Sequence, residues 1–419
     1  MDGLIEWISR QGMNARSIPE LINEFTRELN REGFQLVRSV VLVRTLHPQI
    51  ESIRFAWEPT EVLAPFAAGE FNLETRSVAF DGSTIAVNSF THGASIRSAA
   101  YLSSPYKKLD DGAPVVRHRL AGLTDFESPV FETLASIGAT DYVLLPLATL
   151  NAYEGLRNAI SFATVRPDGF SDEQAERLAA VAPLFALCLE VQVQRFVTET
   201  LLGVYIGRTP GQRVLNGQIR KGDIETMSAA IWYSDLRGYS ALAESASPTQ
   251  LIAWINDYFE AVSQEILDQD GEILKFIGDA ILAIFPWGSA PGGVTGACRR
   301  ALEAAQRANV KLDALNRSRD AAGLPLLAHG IALHLGEVQY GNVGSHRRLD
   351  FTAMGSSVNK VARIESLCRS TGRRLLVSEE FAAKTADVTF ARVGEFAIKG
   401  FAGEIAVHEP AEGPRGDAS

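Results

Sequence analysis

The apolar positions along the 419-residue chain change their period several times, and each change marks an element. Near the start, Leu21, Ile22, Phe25 and Leu29 recur at helical spacing behind Ser17-Ile18-Pro19, a capping serine with proline in the first turn, and Gly33 closes the helix. Strand-like runs follow at 36–43 and 53–57, then at 141–147 and 159–165. The polar stretch between about 88 and 128 has no period that assigns it. At Ser171-Asp172-Glu173-Gln174 a capping box opens a long helix that runs past Pro183. Its stripe of Leu178, Val181, Phe185, Leu189, Val193 and Phe196 is close to a seven-residue repeat. The stripe has two readings: a core helix of the first domain, or a parallel dimer helix that passes a signal between domains.

Between 202 and 225, Gly203, Gly207, Gly211, Gly217 and Gly222 interrupt short helical pieces, as in a linker. A buried-strand pattern then appears at 227–233 and ends in Ser234-Asp235-Leu236-Arg237-Gly238. A second capping box, Ser247-Pro248-Thr249-Gln250, starts a helix carrying Leu251, Trp254, Ile255, Tyr258, Val262 and Ile266, and Gly271 stops it. Residues 272–277 and 280–285 are two strands around Gly278-Asp279, a tight hairpin with glycine leading. After a helix from about 298 to 315, the runs 328–335 and 338–343 flank Gly336-Glu337, which reads as another tight hairpin. A helix over 357–369 follows, and 396–400 pairs with 404–408 across a glycine-containing turn. The expected organisation is a sensory domain at 1–195, a helical linker at 196–225, a catalytic domain at 226–410 and a disordered tail at 411–419.

Composition narrows the function classes. There are 40 Lys+Arg against 50 Asp+Glu, a net charge of −10 with the basic residues dispersed, so no nucleic-acid partner is expected. Three distant cysteines, Cys188, Cys298 and Cys368, form no CxxC and point to a reducing compartment. Asp2 and Glu6 stand where a signal peptide needs basic residues. The strongly apolar helical stretch 178–189 is shorter than the roughly 20 residues of a bilayer span. The expectation is a cytoplasmic protein without a membrane span.

Candidate chemistry lies in the second half. A strand, a helix and a hairpin in succession can bring Asp235, at a strand end, beside Asp279, at a hairpin tip, and paired carboxylates suit Mg²⁺ or Mn²⁺ with positions left open for phosphates. Strand alternation puts Lys275 on the face of Ile273 and Ile277, where an ammonium needs a polar partner or a ligand. Asn359 and Arg363 are one helical turn apart and project from one face, either a surface pair or a clamp on an oxyanion. Lys399 stands just before a turn.

Taken together, AIWYSDLRGYS, ILKFIGDAILAIF, HGIALHLGEVQYGNVG, DFTAMGSSVNKVARIE and IKGFAGEI resemble, in order and spacing, the catalytic domain of the class III adenylate and guanylate cyclases. The resemblance implies an α/β (α+β) chain with a ferredoxin-like cyclase domain that binds ATP across a homodimer interface. It implies that Asp235, Asp279 and the Leu236 carbonyl hold two Mg²⁺ or Mn²⁺ ions per site. Asn359 would orient the ribose and Arg363 stabilise charge on the α-phosphoryl group, while Arg348, Lys399 and the amides of Arg237 and Gly238 would meet phosphate oxygens. Lys275 and Thr352 would read the base: lysine only donates, which suits adenine N1, and a threonine hydroxyl can accept from the 6-amino group. Threonine there resembles a subgroup that includes bicarbonate-responsive cyclases. The implied reaction is ATP to 3′,5′-cyclic AMP and pyrophosphate; the competing readings are a non-catalytic nucleotide-binding sensor and a guanylate cyclase. The strand at 159–165, the turn RPDGFSDEQ and the following helix resemble the end of a GAF domain, implying an N-terminal GAF-like α/β sensor with a small-molecule ligand of unknown identity.

Overall fold

A computed structural model describes residues 2–61, 72–92, 98–149, 157–288, 292–345, 347–385 and 387–411. The chain divides into two compact units, Met1–Leu201 and Leu202–Ser419. The tail expected at 411–419 lies, apart from Ala411, outside the described residues.

The first unit is built on a seven-stranded antiparallel sheet in the order β3-β4-β2-β1-β7-β6-β5. Its strands are β1 (Leu36–Arg44), β2 (Ile50–Pro59), β3 (Asn72–Phe80), β4 (Ser83–Thr91), β5 (Val116–Arg119), β6 (Asp141–Leu147) and β7 (Asn158–Thr164). Two N-terminal helices, α1 (Asp2–Gln11) and α2 (Ile18–Arg31), share one apolar core with the sheet, in which Phe25 stacks on Phe185. Ser17 caps α2 as expected, accepting from the Glu20 amide at 3.3 Å. The stretch without a readable period contains the end of β4, β5 and the short helices α3 (Ala99–Leu102) and α4 (Pro105–Asp110). With α5 (Pro129–Ser136), α4 supplies Leu109, Phe131 and Leu134 to a second, smaller core around Tyr142 and Leu144.

The capping box at Ser171 forms in both directions, Gln174 N to Ser171 Oγ at 3.1 Å and Ser171 N to Gln174 Oε1 at 3.2 Å, and starts the 35-residue α6 (Asp172–Ile206). Leu178, Phe185, Leu189 and Val193 are fully buried in the first core, so this stripe is core packing. A different set on α6, Leu187, Val191 and Tyr205, is exposed. The helix runs through Arg177 and Glu190, which were expected to bound a short apolar stretch. By length and composition α6 contains a window able to cross a bilayer, and half of that window is buried within the protein.

In the second unit, α7 (Arg208–Leu215) precedes eight strands: β8 (Ile224–Leu236), β9 (Glu272–Ile277), β10 (Ala280–Pro286), β11 (His329–Gly344), β12 (Leu349–Met354), β13 (Leu375–Ser378), β14 (Phe390–Ala397) and β15 (Glu404–Pro410). Their order is β14-β15-β13-β11-β8-β10-β9, with β12 paired to β11, and all pairs are antiparallel except β11 with β13. Five helices complete the unit: α8 (Tyr239–Ser245), α9 (Pro248–Asp268), α10 (Gly293–Ala321), α11 (Ser356–Thr371) and α12 (Glu379–Ala382). Trp232 joins the core with α9 and α10, whereas Ala229 and Ile231 join the core with α11. Burial on both faces explains the unbroken apolar run of β8. The end of the expected linker is tied to β11: Gly222 N donates to Asn342 O at 3.0 Å, and Asn342 N donates to Asp223 O at 3.1 Å.

Gly336-Glu337 does not turn the chain, because β11 runs straight through it for 16 residues. A Cβ on Gly336 would lie 2.7 Å from Cβ of Ser357, at the start of α11. Glycine there permits a helix to approach the sheet, a need that resembles a turn signal in sequence. The extra length of β11 is what carries β12.

Candidate active site

Asp235 is the penultimate residue of β8, and β10 pairs beside it, with Ile281 opposite Ser234. Gly278, at φ 65°, makes the tight turn that places Asp279 at the hairpin tip, as the sequence predicts. The two carboxyls come together. Burial, then hydrogen bonding and repulsion from Asp279, push the Asp235 carboxyl up to about 7. Its Oδ1 is buried without a hydrogen-bond partner among the described residues. A half-buried carboxyl pair with an orphaned oxygen fits a divalent cation, whose charge would remove the cost of ionising both acids. Among the described residues no group of three or more His, Cys, Asp or Glu side chains could hold a metal, so these two acids and main-chain oxygens such as Leu236 would be its protein ligands.

A third acid stands near them that the sequence reading passed over. Glu365 lies on the inner face of α11, 8% exposed, and a Cβ built on Gly330 would collide with its Oε1. Gly330 is the β11 partner of Asp235. Burial, followed by the charge of Asp235, raises the Glu365 carboxyl to about 7, with Arg237 opposing. The signal was present in sequence: Glu365 sits one turn after Val361 and beside Ile364, an acid on the helix's apolar stripe.

Arg237 departs from expectation. Its amide donates to Ala328 O at 2.7 Å, and its guanidinium donates to Cys368 O at 3.0 Å and to the Arg373 carbonyl. That amide is therefore committed to the fold and is not free for a phosphate. Gly238, at φ 75°, caps the seven-residue α8.

Lys275 also differs, in its face. Leu282 pairs with Lys275 and Ala283 with Ile273, so a bulge at Leu274 shifts the register. Leu282 belongs to the core beneath α11 and Ala283 to the opposite core, so Lys275 turns to the α11 side and away from Ile273. There its ammonium pairs with Asp350 on β12. Thr352, half-buried, is two residues further along β12 and so faces the same side. Lys275 thus meets Asp350, which shares its side of β12 with Thr352.

Asn359 and Arg363 occupy the exposed face of α11, while Val361 and Ile364 are fully buried on its other face. The helix start at Ser357 lies over Gly336 and Glu365 lies over Gly330, six residues away along β11. Six strand residues span roughly 20 Å. Asn359 thus sits toward the end of β11 remote from Asp235, and Arg363 points away from the sheet that Glu365 faces. In one chain, Asp235 with Asp279 forms one polar group, Lys275 pairs with Asp350, and Asn359 and Arg363 stand apart from the carboxyl pair on the exposed face of α11. Arg348, exposed, is in the turn between β11 and β12, its amide donating to Ser345 Oγ at 3.2 Å, and Lys399, exposed, is in the turn between β14 and β15.

Residues 224–409 match the family model described as the adenylate and guanylate cyclase catalytic domain. The chain is similar to an adenylate cyclase of Anabaena cylindrica, 35% identical over 165 residues that cover 38% of this chain and 31% of that protein. It is also similar to adenylate cyclase 1 of Rhizobium meliloti (strain 1021), 30% identical over 178 residues, covering 42% and 26% respectively. The chain thus spans under a third of these curated relatives. Among solved structures, the adenylyl cyclase CyaB from P. aeruginosa aligns at 24% identity and TM-score 0.40, over 46% of this chain and 97% of that one. The guanylyl cyclase Cya2 aligns at 26% and 0.40, over 46% and 96%. Residues 224–409 are a class III adenylate/guanylate cyclase catalytic domain.

Proposed function

We propose that the chain is an adenylate cyclase that converts ATP to 3′,5′-cyclic AMP and pyrophosphate as a homodimer, each site taking Asp235 and Asp279 from one subunit and Asn359 and Arg363 from the other. The family binds a nucleotide substrate, functions as a dimer and is generally dependent on divalent metal. The observation that supports the reading best is the separation, within one chain, of the carboxyl pair from Asn359 and Arg363 on the exposed face of α11, because a twofold axis would complete two identical sites from these halves. Two Mg²⁺ or Mn²⁺ ions, held by Asp235, Asp279 and the Leu236 carbonyl, would supply Lewis-acid activation of the ribose 3′-hydroxyl and neutralise the triphosphate.

The chain's own residues do the rest. Asn359 orients the ribose so that its 3′-oxygen is in line with the α-phosphorus. Arg363, free of the fold on the outer face of α11, stabilises the charge that grows on the α-phosphoryl oxygens. Arg348 and Lys399, on exposed turns, steer the triphosphate. Lys275 donates to adenine N1 and Thr352 accepts from the 6-amino group, so ATP is preferred to GTP. The first unit is read as a GAF-like sensor that sets activity, and the chain as cytoplasmic; its three cysteines are free and buried, as suits a reducing compartment. Purified full-length protein incubated with ATP or GTP and Mg²⁺ or Mn²⁺, with products identified by mass spectrometry, tests the reading. Cyclic AMP is expected; no cyclic nucleotide from either substrate would leave a nucleotide-binding sensor.

A further inference from the structure

The geometry points to Glu365 as a positioning residue of the metal centre: a third negative charge behind Asp235 and Asp279 that draws a divalent cation to them without ligating it. The inference deepens the reading above and rests on it, since the cation concerned is the one the carboxyl pair would hold. Three elements bring these acids together. On β8, Ala229 and Ile231 are buried in the core with α11 and Tyr233 packs against it, so strand alternation carries Asp235 to the same face. On β11, Gly330 stands directly opposite Asp235. Side chains in such a pair have Cβ atoms about 5 Å apart. The place that a Gly330 Cβ would take is filled from α11 by Glu365 Oε1, with the Cβ of Cys368 at 2.9 Å from it. The Glu365 carboxyl therefore lies beside the Asp235 side chain, and Asp235 is in hydrogen-bonding reach of Asp279.

As packing alone this acid is costly. Glu365 is buried, and no donor among the described residues hydrogen-bonds its carboxyl. The cation whose charge reaches it is Arg237, and the Arg237 guanidinium spends its donors on the carbonyls of Cys368 and Arg373. Tyr233, Tyr258 and Cys368, the other titratable side chains that the Glu365 charge reaches, are all pushed up by burial first and by the neighbouring acids after it, so they bring no compensating charge. An apolar side chain between Ile364 and Cys368 would fill the same space more stably.

A cation in front of the carboxyl pair reverses the balance. With all three acids ionised and Arg237 opposing them, two negative charges are left over, the charge of one divalent ion. Among the described residues no three acids stand close enough to share a metal, so Glu365 acts through space and not as a ligand. Its burial makes that action strong, because a charge shielded from water is felt at greater range. Gly330 is what admits it, since any side chain there would displace the Glu365 carboxyl.

The test uses the full chain at pH 8 with Mn²⁺ alone and no nucleotide, free Mn²⁺ being counted by electron paramagnetic resonance, with Asp279→Ala to identify binding at the carboxyl pair. Glu365→Gln, which keeps the shape and removes the charge, should weaken that binding by about tenfold, the scale of losing an outer-shell partner of a metal. Its melting temperature in EDTA should equal or exceed that of the wild type, because a buried charge has gone. A merely structural acid would give the opposite pair of results, a lower melting temperature and an unchanged Mn²⁺ affinity. Glu365→Asp keeps the charge and should hold the affinity within about threefold; a loss equal to that of Glu365→Gln would overturn action through space. If Glu365→Gln fails to fold, Glu365→Met, which fills the space with an apolar chain, decides by the same two measurements. Unchanged Mn²⁺ affinity in the uncharged variants overturns the inference and leaves the carboxyl pair standing as a metal site. Wild-type binding that is insensitive to Asp279→Ala would remove the metal centre itself, and the inference with it.

Discussion

Glu365 lies with its Oε1 over the Cα of Gly330, the β11 residue that pairs with Asp235. The absence of a side chain at one strand position thus admits a buried acid beside the carboxyl pair. Gly330→Ala would force a Cβ against that carboxylate and to within 2.9 Å of the Cys368 Cβ. The Glu365 carboxylate is the far end of its side chain and can swing aside, but the Cys368 Cβ cannot, so overpacking of about 1–3 kcal/mol is expected. Thermal melting of the variant should show it, and adding Glu365→Ala should recover part of the loss. A melting curve identical to wild type would mean that α11 is not held as described.

The carboxyls of Asp235 and Glu365 are both raised to about 7, chiefly by burial. Their folded values lie above the unfolded ones near 4, so the folded protein binds more protons between those limits. Stability in chelator should therefore be full below about pH 4 as far as these groups are concerned, and should fall as pH rises through 7. Melting temperatures recorded from pH 5 to pH 8.5 in EDTA check the sign. Asp235→Asn should flatten the profile, and Mg²⁺ or Mn²⁺ should restore stability most at the alkaline end. A profile that rises with pH and is insensitive to Asp235→Asn would contradict the burial of these charges.

Elements fixed by local chemistry were legible in the sequence. The capping boxes at Ser171 and Ser247, the glycine-led hairpin at Gly278 and the apolar run of β8 all signal through neighbours in the chain. What escaped depends on contacts made far away in sequence. Gly336 reads as a turn until Ser357 is found pressed against it, and Lys275 changes face because a bulge at Leu274 breaks an alternation that sequence assumes to be regular. The α6 stripe could not choose between core and dimer, since a single helix looks alike in both until its partner is known; the first core supplies that partner. Glu365 is hard to see in sequence because an acid on a helix ordinarily faces water, and only the space over Gly330 lets this one turn inward.

Asp235→Ala and Asp279→Ala should each lower cyclase turnover by at least about a hundredfold, the scale of losing a preorganised electrostatic element. Neither should lower stability in chelator, because the raised value of Asp235 marks its charge as a cost in the metal-free fold. Turnover assays paired with melting curves separate this from misfolding. Near-normal turnover in either variant would remove these acids from the site.

Base selection should follow Lys275, paired with Asp350, and Thr352, two residues from Asp350 along β12. Exchanging the donor for an acceptor in Lys275→Glu, together with Thr352→Cys, should abolish the preference for ATP and raise the relative use of GTP. Asp350→Ala provides the control. Its pair with Lys275 is substantially exposed, so stability should change by no more than about 1 kcal/mol. Competition assays with both nucleotides give the ratio directly, and an ATP preference that survives the double exchange would place base recognition elsewhere.

The composite site admits the most direct test. Asp279→Ala removes the carboxyl half of the site, and Arg363→Ala removes the half carried by α11, so each homodimer should be nearly inactive. Mixing the two variants under conditions of subunit exchange produces heterodimers. In a heterodimer the Arg363→Ala subunit contributes an intact carboxyl pair and the Asp279→Ala subunit an intact Arg363, which completes one site and leaves both lesions in the other. With random exchange about half of the dimers are mixed, so roughly a quarter of the wild-type activity should return, as twofold symmetry requires. If every residue of a site came from one chain, or if the domain only bound nucleotide, no activity would return. Native mass spectrometry establishes that heterodimers are present, and their inactivity would then exclude a site shared between subunits.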